Sequence, residues 1–356
     1  MTALKYRSTN TAFRKRLHQE VDHYFNSTNV PRTGDSALKL QAILIMSWWL
    51  GSYTLLNANI NYATNTVSFT SFIIASLSLI AGVGHGALHG TFGSNSVIGE
   101  VSKYIGTLLG FSSQWWIFKH NKAHHTYTQV YGSDSDITQG SLARLSSYQP
   151  MQKHFKYQHI YIWFIYPLLH LYMISAADLE LFFNSSINGV KSKRSSLKVK
   201  SWWLVQKVMA LTFLIIIPSL TFGIINTLIG FLIGSLIFSL ILSISLQTNH
   251  CVGKPVEAKV DHENKLILED WAVNQLKNGV VVSEKNKALT FILGGLNLHS
   301  AHHLFPNISQ THYANLTKII DKIANEMHIP QKKYPSMLSA VKGHVEFLKY
   351  YGEEVA

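Results

Sequence analysis

Four long runs of apolar residues dominate the chain, and the stretches between them carry almost all of its charged residues. Each run approaches the roughly 20 residues that an α-helix needs to cross the hydrocarbon core of a bilayer. Lys207 interrupts only the beginning of the third run. The pattern therefore predicts four transmembrane helices, over residues 40–56, 67–84, 202–222 and 228–246.

The spacing of these runs predicts two helical hairpins. Short turns around residues 57–66 and 223–227 join the helices of each pair, and neither turn contains Lys or Arg. The N-terminal region, the middle loop and the C-terminal region are all rich in basic residues. Because Lys and Arg mark the cytoplasmic side of a membrane protein, we expect both termini and the middle loop to be cytoplasmic.

Two further apolar segments, residues 98–118 and 159–176, are interrupted by charged residues, histidines or proline. If only one of them crossed the bilayer, the histidine clusters described below would lie on opposite sides. If both crossed, the middle cluster would lie outside the cell interior, away from the others. We therefore expect both to be interfacial helices.

The predicted fold is an all-α integral membrane protein, in which a cytoplasmic helical cap carries a site for two metals. Its expected parts are a cytoplasmic segment 1–39, a membrane domain 40–330 and a C-terminal cytoplasmic tail 331–356.

Composition supports the membrane assignment. Only 14% of the residues are charged, whereas soluble domains contain about 25%. The net charge of +12 suits an acidic membrane surface, and no nucleic-acid-binding motif is present. The single cysteine, Cys251, excludes an internal disulfide and a metal cage made of cysteines.

Histidine is the exceptional residue type, with 18 copies, many in tight clusters. The clusters read HGALH, HNKAHH and HSAHH, and one more histidine follows the fourth predicted helix in LQTNHC. By the predicted topology all of these residues lie on one side of the membrane. The nine candidate metal ligands are His85, His89, His120, His124, His125, His250, His299, His302 and His303.

Helical spacing predicts how these side chains point. His120 and His124, four residues apart, share one face of a helix. His125 is rotated by about 100° from its neighbour and can reach a second metal. Nine imidazoles exceed the four ligands of a typical zinc site and suit two metals with four or five nitrogens each. Neutral imidazole binds ferrous iron, so we expect two iron ions.

The three clusters and their flanks resemble the histidine boxes of the membrane fatty acid desaturases, H-x-x-x-H, H-x-x-x-H-H and H-x-x-H-H. Similar flanks are WWIFKHNKAHHTYT with GSDSDI, KYQHIYIWFIYPLL and GGLNLHSAHHLFPNI. The resemblance covers roughly residues 10–330, and His250 matches an additional histidine of the family. It is closest to bacterial acyl-lipid or linoleoyl-CoA desaturase-like proteins, although His299 stands where many front-end desaturases have glutamine.

The resemblance implies a dioxygen-dependent enzyme that introduces a double bond into a long-chain acyl-CoA or acyl-lipid. The sequence has no H-P-G-G haem signature, so the expected electron donor is a separate protein of the ferredoxin or cytochrome b5 type. The implied location is the inner membrane of a bacterium or the endoplasmic reticulum of a eukaryote. Asp134 and Asp136 are candidates for carboxylates that orient the ligating imidazoles. His154, His159, His170 and His312 are expected to lie near the boxes or at the interface.

Three other functions fit parts of the pattern. A hydroxylase acting on an acyl chain, an alkane or a carotenoid would use the same scaffold. A metal transporter would need ionisable ligands within its membrane spans, and the central thirds of the four runs contain neither histidine nor carboxylate. A zinc hydrolase would need only about three protein ligands and a general base. The residues favour the oxidative enzymes.

Overall fold

The computed structural model describes residues 4–9, 11–177, 179, 186–187, 190–191, 197–261 and 263–353, and its described part is mostly helical. Several helices contain short turns of π or 3-10 geometry. The helices are α1 Ala12–Thr28, α2 Ser36–Ala58, α3 Tyr62–Leu88, α4 Val97–Ile105, α5 at residues 113–127, α6 at residues 158–175, α7 at residues 197–222, α8 Ile224–Gln247, α9 Trp271–Asn278, α10 Lys287–Ile292, α11 His299–Leu304, α12 Tyr313–Glu326 and α13 Met337–Gly352.

Short strands accompany the helices, which the all-α prediction did not include. The strands are β1 Lys5–Ser8, β2 Ser186–Ile187, β3 Val190–Lys191, β4 Val260–Asp261, β5 Leu266–Asp270, β6 Val280–Val282 and β7 Lys332–Tyr334. They form a sheet in the order β1-β5-β4, an antiparallel β2-β3 pair and a parallel β6-β7 pair.

Three helices in the described chain are long and apolar enough to cross a membrane: Tyr62–Leu88, Lys200–Phe222 and Ile224–Gln247. They correspond to the second, third and fourth predicted spans. The first predicted span lies within α2, a helix of 23 residues. This helix is long enough to cross, but polar residues such as Lys39, Gln41 and Asn57 lower its mean hydropathy, and it is not among the three.

The turns between the membrane-length helices lie close to where the sequence predicts them. Asn59 ends α2 in the left-handed conformation, and the Asn61 side chain caps α3 by accepting a hydrogen bond from the Thr64 amide. Asn tolerates positive φ and is a favoured helix cap, so these residues stop one helix and start the next. Gly223, with φ of 75°, separates α7 from α8. Each pair of helices is thus joined by a tight turn.

Side-chain hydrogen bonds hold these helices together. The Trp48 indole donates to the Ser71 hydroxyl at 2.8 Å, and the Trp49 indole donates to Ser76 at 3.0 Å. Tyr53 on α2 donates to the Phe213 carbonyl on α7. In an apolar environment an unpaired polar group costs several kcal/mol, so such pairs fix which helix faces which.

Both segments predicted to be interfacial are broken helices. α4 ends in a 3-10 turn, and Gly110 then takes a φ of 83° before α5 begins. α6 contains a 3-10 turn over Tyr166–Leu168 with a proline at its start. A proline removes a backbone donor and a left-handed glycine redirects the chain, so neither segment is one continuous helix of membrane length.

The N-terminal helix and the C-terminal region pack together around a shared apolar core. Phe13, Leu17 and Val21 lie on one face of α1 and are fully buried with Leu316 and Ile320 of α12. Their spacing of three to four residues is that of an amphipathic helix face. Ala301 and Leu304 of α11 belong to the same core, so α1 and α12 pack beside this helix.

Residues 331–356, set apart by the sequence as a tail, include strand β7 and helix α13. Val280 to Val282 of β6 pair in parallel with residues 332–334. α13 packs on α6, where the buried Gln158 amide donates to the Leu348 carbonyl at 2.7 Å. The Tyr166 hydroxyl lies 2.6 Å from Nε2 of His344.

Two glycines bring the loop before α11 against α3. Gly294 has a φ of 56°, and a Cβ built on it would lie 2.3 Å from the Cα of Gly82. Gly82 belongs to the π turn Ser78–Gly84, which leads directly into His85. Only glycine at position 294 provides both the left-handed backbone and the close approach.

We expect Gly294→Ala to destabilise the protein more than Gly140→Ala. Both glycines have positive φ, so each alanine costs about 1–2 kcal/mol of backbone strain. A Cβ at Gly140 would meet no atom within 4 Å, whereas at Gly294 it would overlap the backbone of Gly82. Thermal unfolding in detergent measures the difference. Equal losses in the two variants would show that the contact between Gly82 and Gly294 is unimportant.

Candidate metal centre

The nine predicted histidines lie together in the structure as two adjacent groups. Within each group the candidate ligand nitrogens are all within 4.8 Å of one another. Eight of the nine side chains are buried, and His89 is half-buried. The larger group contains His85, His89, His120, His125 and His302, and the smaller group contains His124, His250, His299 and His303.

A π-helical turn decides how the second cluster divides between the groups. Residues 117–124 of α5 form this turn, and the His125 amide donates to the carbonyl of His120, five residues earlier. His120 and His125 therefore share a face, and their Nε2 atoms are 3.1 Å apart. Regular α-helical spacing would place His120 and His124 on one face, whereas in the structure His120 groups with His125 and His124 belongs to the smaller group. Single π turns inside α-helices are frequent at functional sites.

The third cluster follows ordinary helical spacing. His299 and His303, four residues apart on α11, both belong to the smaller group, with their Nε2 atoms at 3.1 Å. His302 points the other way, and its Nε2 lies 3.0 Å from Nε2 of His125. One short helix thus contributes to both groups.

His250 and Asp134 complete the smaller group. Nε2 of His250 lies 3.0 Å from Nε2 of His124 and 2.8 Å from Nε2 of His299. On its other side, Nδ1 of His250 donates to the Asn278 carbonyl at 2.9 Å. Nδ1 of His124 lies 3.0 Å from the fully buried Asp134 carboxylate. The position of His250 just after α8 therefore brings it to the site.

The hydrogen bonds of the smaller group fix the protonation pattern of its rings. Nδ1 of His299 donates to the Leu296 carbonyl at 3.1 Å, and Nδ1 of His303 lies 2.7 Å from the Gln275 amide oxygen. Since His124 and His250 have similar contacts, every Nδ1 in the smaller group faces an oxygen that can accept a hydrogen bond. Each neutral ring then presents a bare Nε2 lone pair to the others. Converging lone pairs require a cation among them, so this donor set fits a metal ion.

Burial favours the neutral form of three of the four rings in the smaller group. Burial lowers the pKa of His250 to about 3 and holds the pKa values of His299 and His303 well below their usual range. Burial would also lower the pKa of His124, but the Asp134 and Asp136 carboxylates outweigh it and raise that pKa. A carboxylate behind a ligating imidazole makes the ring a stronger donor to a metal.

Asp136 lies where the two groups meet. A carboxylate oxygen of this residue, with the ligand nitrogens of His120 and His124, forms a third set within 4.8 Å. The same side chain pairs with Lys119 at 3.2 Å and lies 3.5 Å from Nδ1 of His124. Asp134 is therefore the direct partner of His124, and Asp136 is a more distant one.

Helix α9 supplies hydrogen-bond partners of the clustered histidines that the sequence did not predict. Gln275 contacts His303 through its amide oxygen, and its nitrogen donates to the carbonyl of His125 at 3.1 Å. Asn274 donates to the Thr128 carbonyl, and Asn278 supplies the carbonyl that binds His250. Asn274, Gln275 and Asn278 are buried and lie on one side of a short helix. In the sequence, the spacing of these three polar residues on one helical face is the pattern that could have identified them.

Four other histidines singled out by the sequence lie outside both groups in the described chain. His154 lies 2.8 Å from the Ser141 carbonyl and is exposed, and His312 contacts Tyr24 and the Pro31 carbonyl. His170 is buried in α6. The four are His154, His159, His170 and His312.

Two adjacent cavities are lined by some of the histidines. The first, the metal cavity, has a volume of about 70 Å³ and is lined by members of both groups together with Trp116 and Leu242. The second, the vestibule, has a volume of about 610 Å³. Lys119, Leu246 and His250 line both spaces, so the two are neighbours.

Comparison with known proteins gives one consistent result. A sequence model of the family "Fatty acid desaturase" matches residues 63–335. An sn-1 linoleoyl-lipid 6-desaturase from Synechocystis sp. is 27% identical and the match spans 96% of both chains. A protein of the same description from Arthrospira platensis is 25% identical over 95% of this chain and 92% of its own. A probable Delta(5) fatty acid desaturase from Dictyostelium discoideum is 28% identical over 87% of this chain and 68% of its own.

We expect Asp134→Asn to weaken metal binding about 10–100-fold, because the neutral amide cannot enhance the basicity of His124 as a carboxylate does. The matched variant Asp136→Asn should have a smaller effect, since Asp136 lies 3.5 Å from the same nitrogen. Competition with a chelator measures the affinity of each purified protein. Equal affinities in both variants and the unaltered protein would contradict this assignment.

Proposed function

Because the chain belongs to the fatty acid desaturase family, we propose that its two histidine groups hold a pair of iron ions at which dioxygen desaturates a lipid-bound acyl chain. The chain is a fatty acyl desaturase and therefore an oxidoreductase. The observation that carries the proposal is the division of nine histidines into groups of five and four around one buried site. Two such groups suit two metals.

The protein's own residues would hold and orient the metals. In the smaller group, Asp134, Gln275 and the Asn278 carbonyl fix Nδ1 of three rings. In the larger group, the Tyr313 hydroxyl lies 3.2 Å from Nδ1 of His302. When bound, the irons would supply the oxidation of an unactivated C–H bond, with dioxygen as oxidant and two electrons from a separate ferredoxin or cytochrome b5 type donor.

The cavities would bring the acyl chain to this site and exclude water. The metal cavity is lined by Trp116, Leu242 and other apolar side chains beside the histidines. The vestibule carries polar residues such as Gln129 and Gln247 and would receive the carboxyl end of the substrate. Fixing a chain between these spaces places two neighbouring methylenes at the metals, which is the positioning that desaturation needs.

An acyl-lipid is the proposed form of the substrate. The Synechocystis and Arthrospira relatives are both described as sn-1 linoleoyl-lipid 6-desaturases. A membrane lipid can deliver its tail directly from the bilayer in which the enzyme lies. An acyl-CoA would instead present a highly charged head group at the vestibule.

We also propose that α2 is a fourth span and that both termini are cytoplasmic. Leu40, Leu44 and Leu50 of this helix are 57%, 51% and 55% exposed, as expected for lipid-facing residues. α2 packs along α3 through its tryptophans. The broken helices α4 and α6 would lie at the cytoplasmic interface, in a bacterial inner membrane or in the endoplasmic reticulum.

Expression in a host without polyunsaturated lipids tests the reaction. With a ferredoxin or a cytochrome b5 supplied, we expect a new double bond in lipid-bound acyl chains, located by gas chromatography and mass spectrometry. His302→Ala should abolish the product, because it removes one ligand from the larger group. A hydroxylated chain formed only by the intact protein would instead identify a hydroxylase.

A further inference from the structure

His250 lies on an irregular segment of residues 248–253, the His250 turn, which directly follows α8. Most of the other clustered histidines lie within helices α3, α5 and α11, where regular backbone hydrogen bonds hold them. At the start of the turn, the Cys251 amide donates to the Gln247 carbonyl at 2.8 Å. The Asn278 carbonyl orients the ring of His250 but does not contact its backbone. Other contacts must therefore hold the rest of the turn in place.

Helix α13 contacts the turn directly after His250. Nδ1 of His344 donates to the Cys251 carbonyl at 2.7 Å. Two residues further along the turn, the Gly253 amide donates to the Gly343 carbonyl at 2.8 Å. Two neighbouring residues of α13 are thus bonded to backbone groups that lie within three residues of a candidate metal ligand.

Strands β6 and β7 support the same turn. The Lys332 ammonium of β7 donates to the Val252 carbonyl at 3.2 Å, and the Val280 amide of β6 donates to the Asn249 carbonyl at 3.0 Å. The Val252 side chain is fully buried in a small apolar core with Val280 and with Ala340 of α13. The backbone on both sides of His250 is therefore bonded to elements that lie well after it in the sequence.

The His344 ring is itself held in one orientation. Its side chain is 1% exposed, and the Tyr166 hydroxyl of α6 lies 2.6 Å from its Nε2. A carbonyl can only accept a hydrogen bond, so the ring proton lies on Nδ1, and the Tyr166 hydroxyl donates to Nε2. Burial lowers the pKa of His344 to about 4, so the ring is neutral near pH 7. Its single N–H therefore points at Cys251.

We propose that His344 is a positioning residue for the metal centre: by holding the Cys251 carbonyl, it keeps the His250 turn where His250 can complete the smaller group. This inference rests on the proposed function, in which the smaller group holds a metal. Metal ligands need to be held within about 0.5 Å of their productive positions, and the Cys251 peptide is directly joined to His250. Residues 331–353, which the sequence sets apart as a tail, thus support the metal centre.

His344→Phe tests the proposal, because it keeps a ring of similar size and removes both hydrogen bonds. His344→Asn is the conservative variant, since its amide nitrogen can take the place of Nδ1 and donate to the Cys251 carbonyl. His170→Phe is the matched control. His170 is also buried and donates from Nε2 to a carbonyl, that of Leu109, at 2.8 Å, but it lies outside both groups.

We expect His344→Phe to lower the affinity of the smaller group for iron about tenfold or more, as is usual when a residue that orients a ligand is removed. Competition with a chelator measures the affinity, and Mössbauer spectroscopy distinguishes the two irons. The iron of the larger group should keep its spectrum and its affinity. His344→Asn should restore most of the loss, and His170→Phe should bind both irons as the unaltered protein does. Unchanged affinity in His344→Phe would overturn the proposal.

Two double variants separate positioning from a general loss of stability. In a His250→Ala background, His344→Phe should cause no further loss of affinity in the smaller group, because the ligand that it positions is already absent. In a His299→Ala background, which also leaves three histidines in this group, it should still cause the full loss. An equal response in the two backgrounds would overturn the proposal, because the effect of His344 would then not depend on His250.

A protein that binds zinc instead of iron would contradict the proposed diiron function but not the positioning role. The same variants can then be compared by their affinity for zinc. A loss in His344→Phe that requires His250 would still support the role of His344, and a loss that does not require His250 would overturn it.

Discussion

Nine imidazole nitrogens face one another in a buried space, and their lone pairs repel unless cations lie among them. In the smaller group the surrounding protein fixes the direction of each Nε2 lone pair, because every Nδ1–H donates a hydrogen bond to an oxygen atom. Burial keeps most of these rings neutral. The folded chain thus concentrates electron-pair donors at a place where water cannot satisfy them. We therefore expect the stability of this arrangement to depend on bound metal ions.

Much of the remaining structure serves that convergence. The π turn in α5 places His120 and His125 on one face and sends His124 to the other group. α9 lies behind the smaller group with a polar face, and the Gly82–Gly294 contact holds the loop before α11 against α3. His85 near the end of α3 and His250 just after α8 belong to the two adjacent groups. The ligands therefore come from elements that are far apart in sequence.

The sequence identified the histidine boxes whose side chains come together in the structure, because residues such as His299 and His303 lie on one face at ordinary helical spacing. It also located the helix turns at Asn59 and Gly223, where the backbone needs residues that tolerate positive φ. It failed where local geometry departs from the regular helix: the π turn altered the partner of His120. Gln275 was missed because its role depends on α9 packing against α5 and α11, and such long-range contacts leave little trace in a local pattern.

The metal content of the purified protein tests the central claim most directly. Elemental analysis with Mössbauer spectroscopy should find about two irons per chain, ligated mainly by nitrogen. His303→Ala, in the smaller group, should lose about one of them and retain the other, because the five histidines of the larger group remain intact. A single zinc per chain, or an iron content that does not respond to His303→Ala, would contradict two histidine-bound irons.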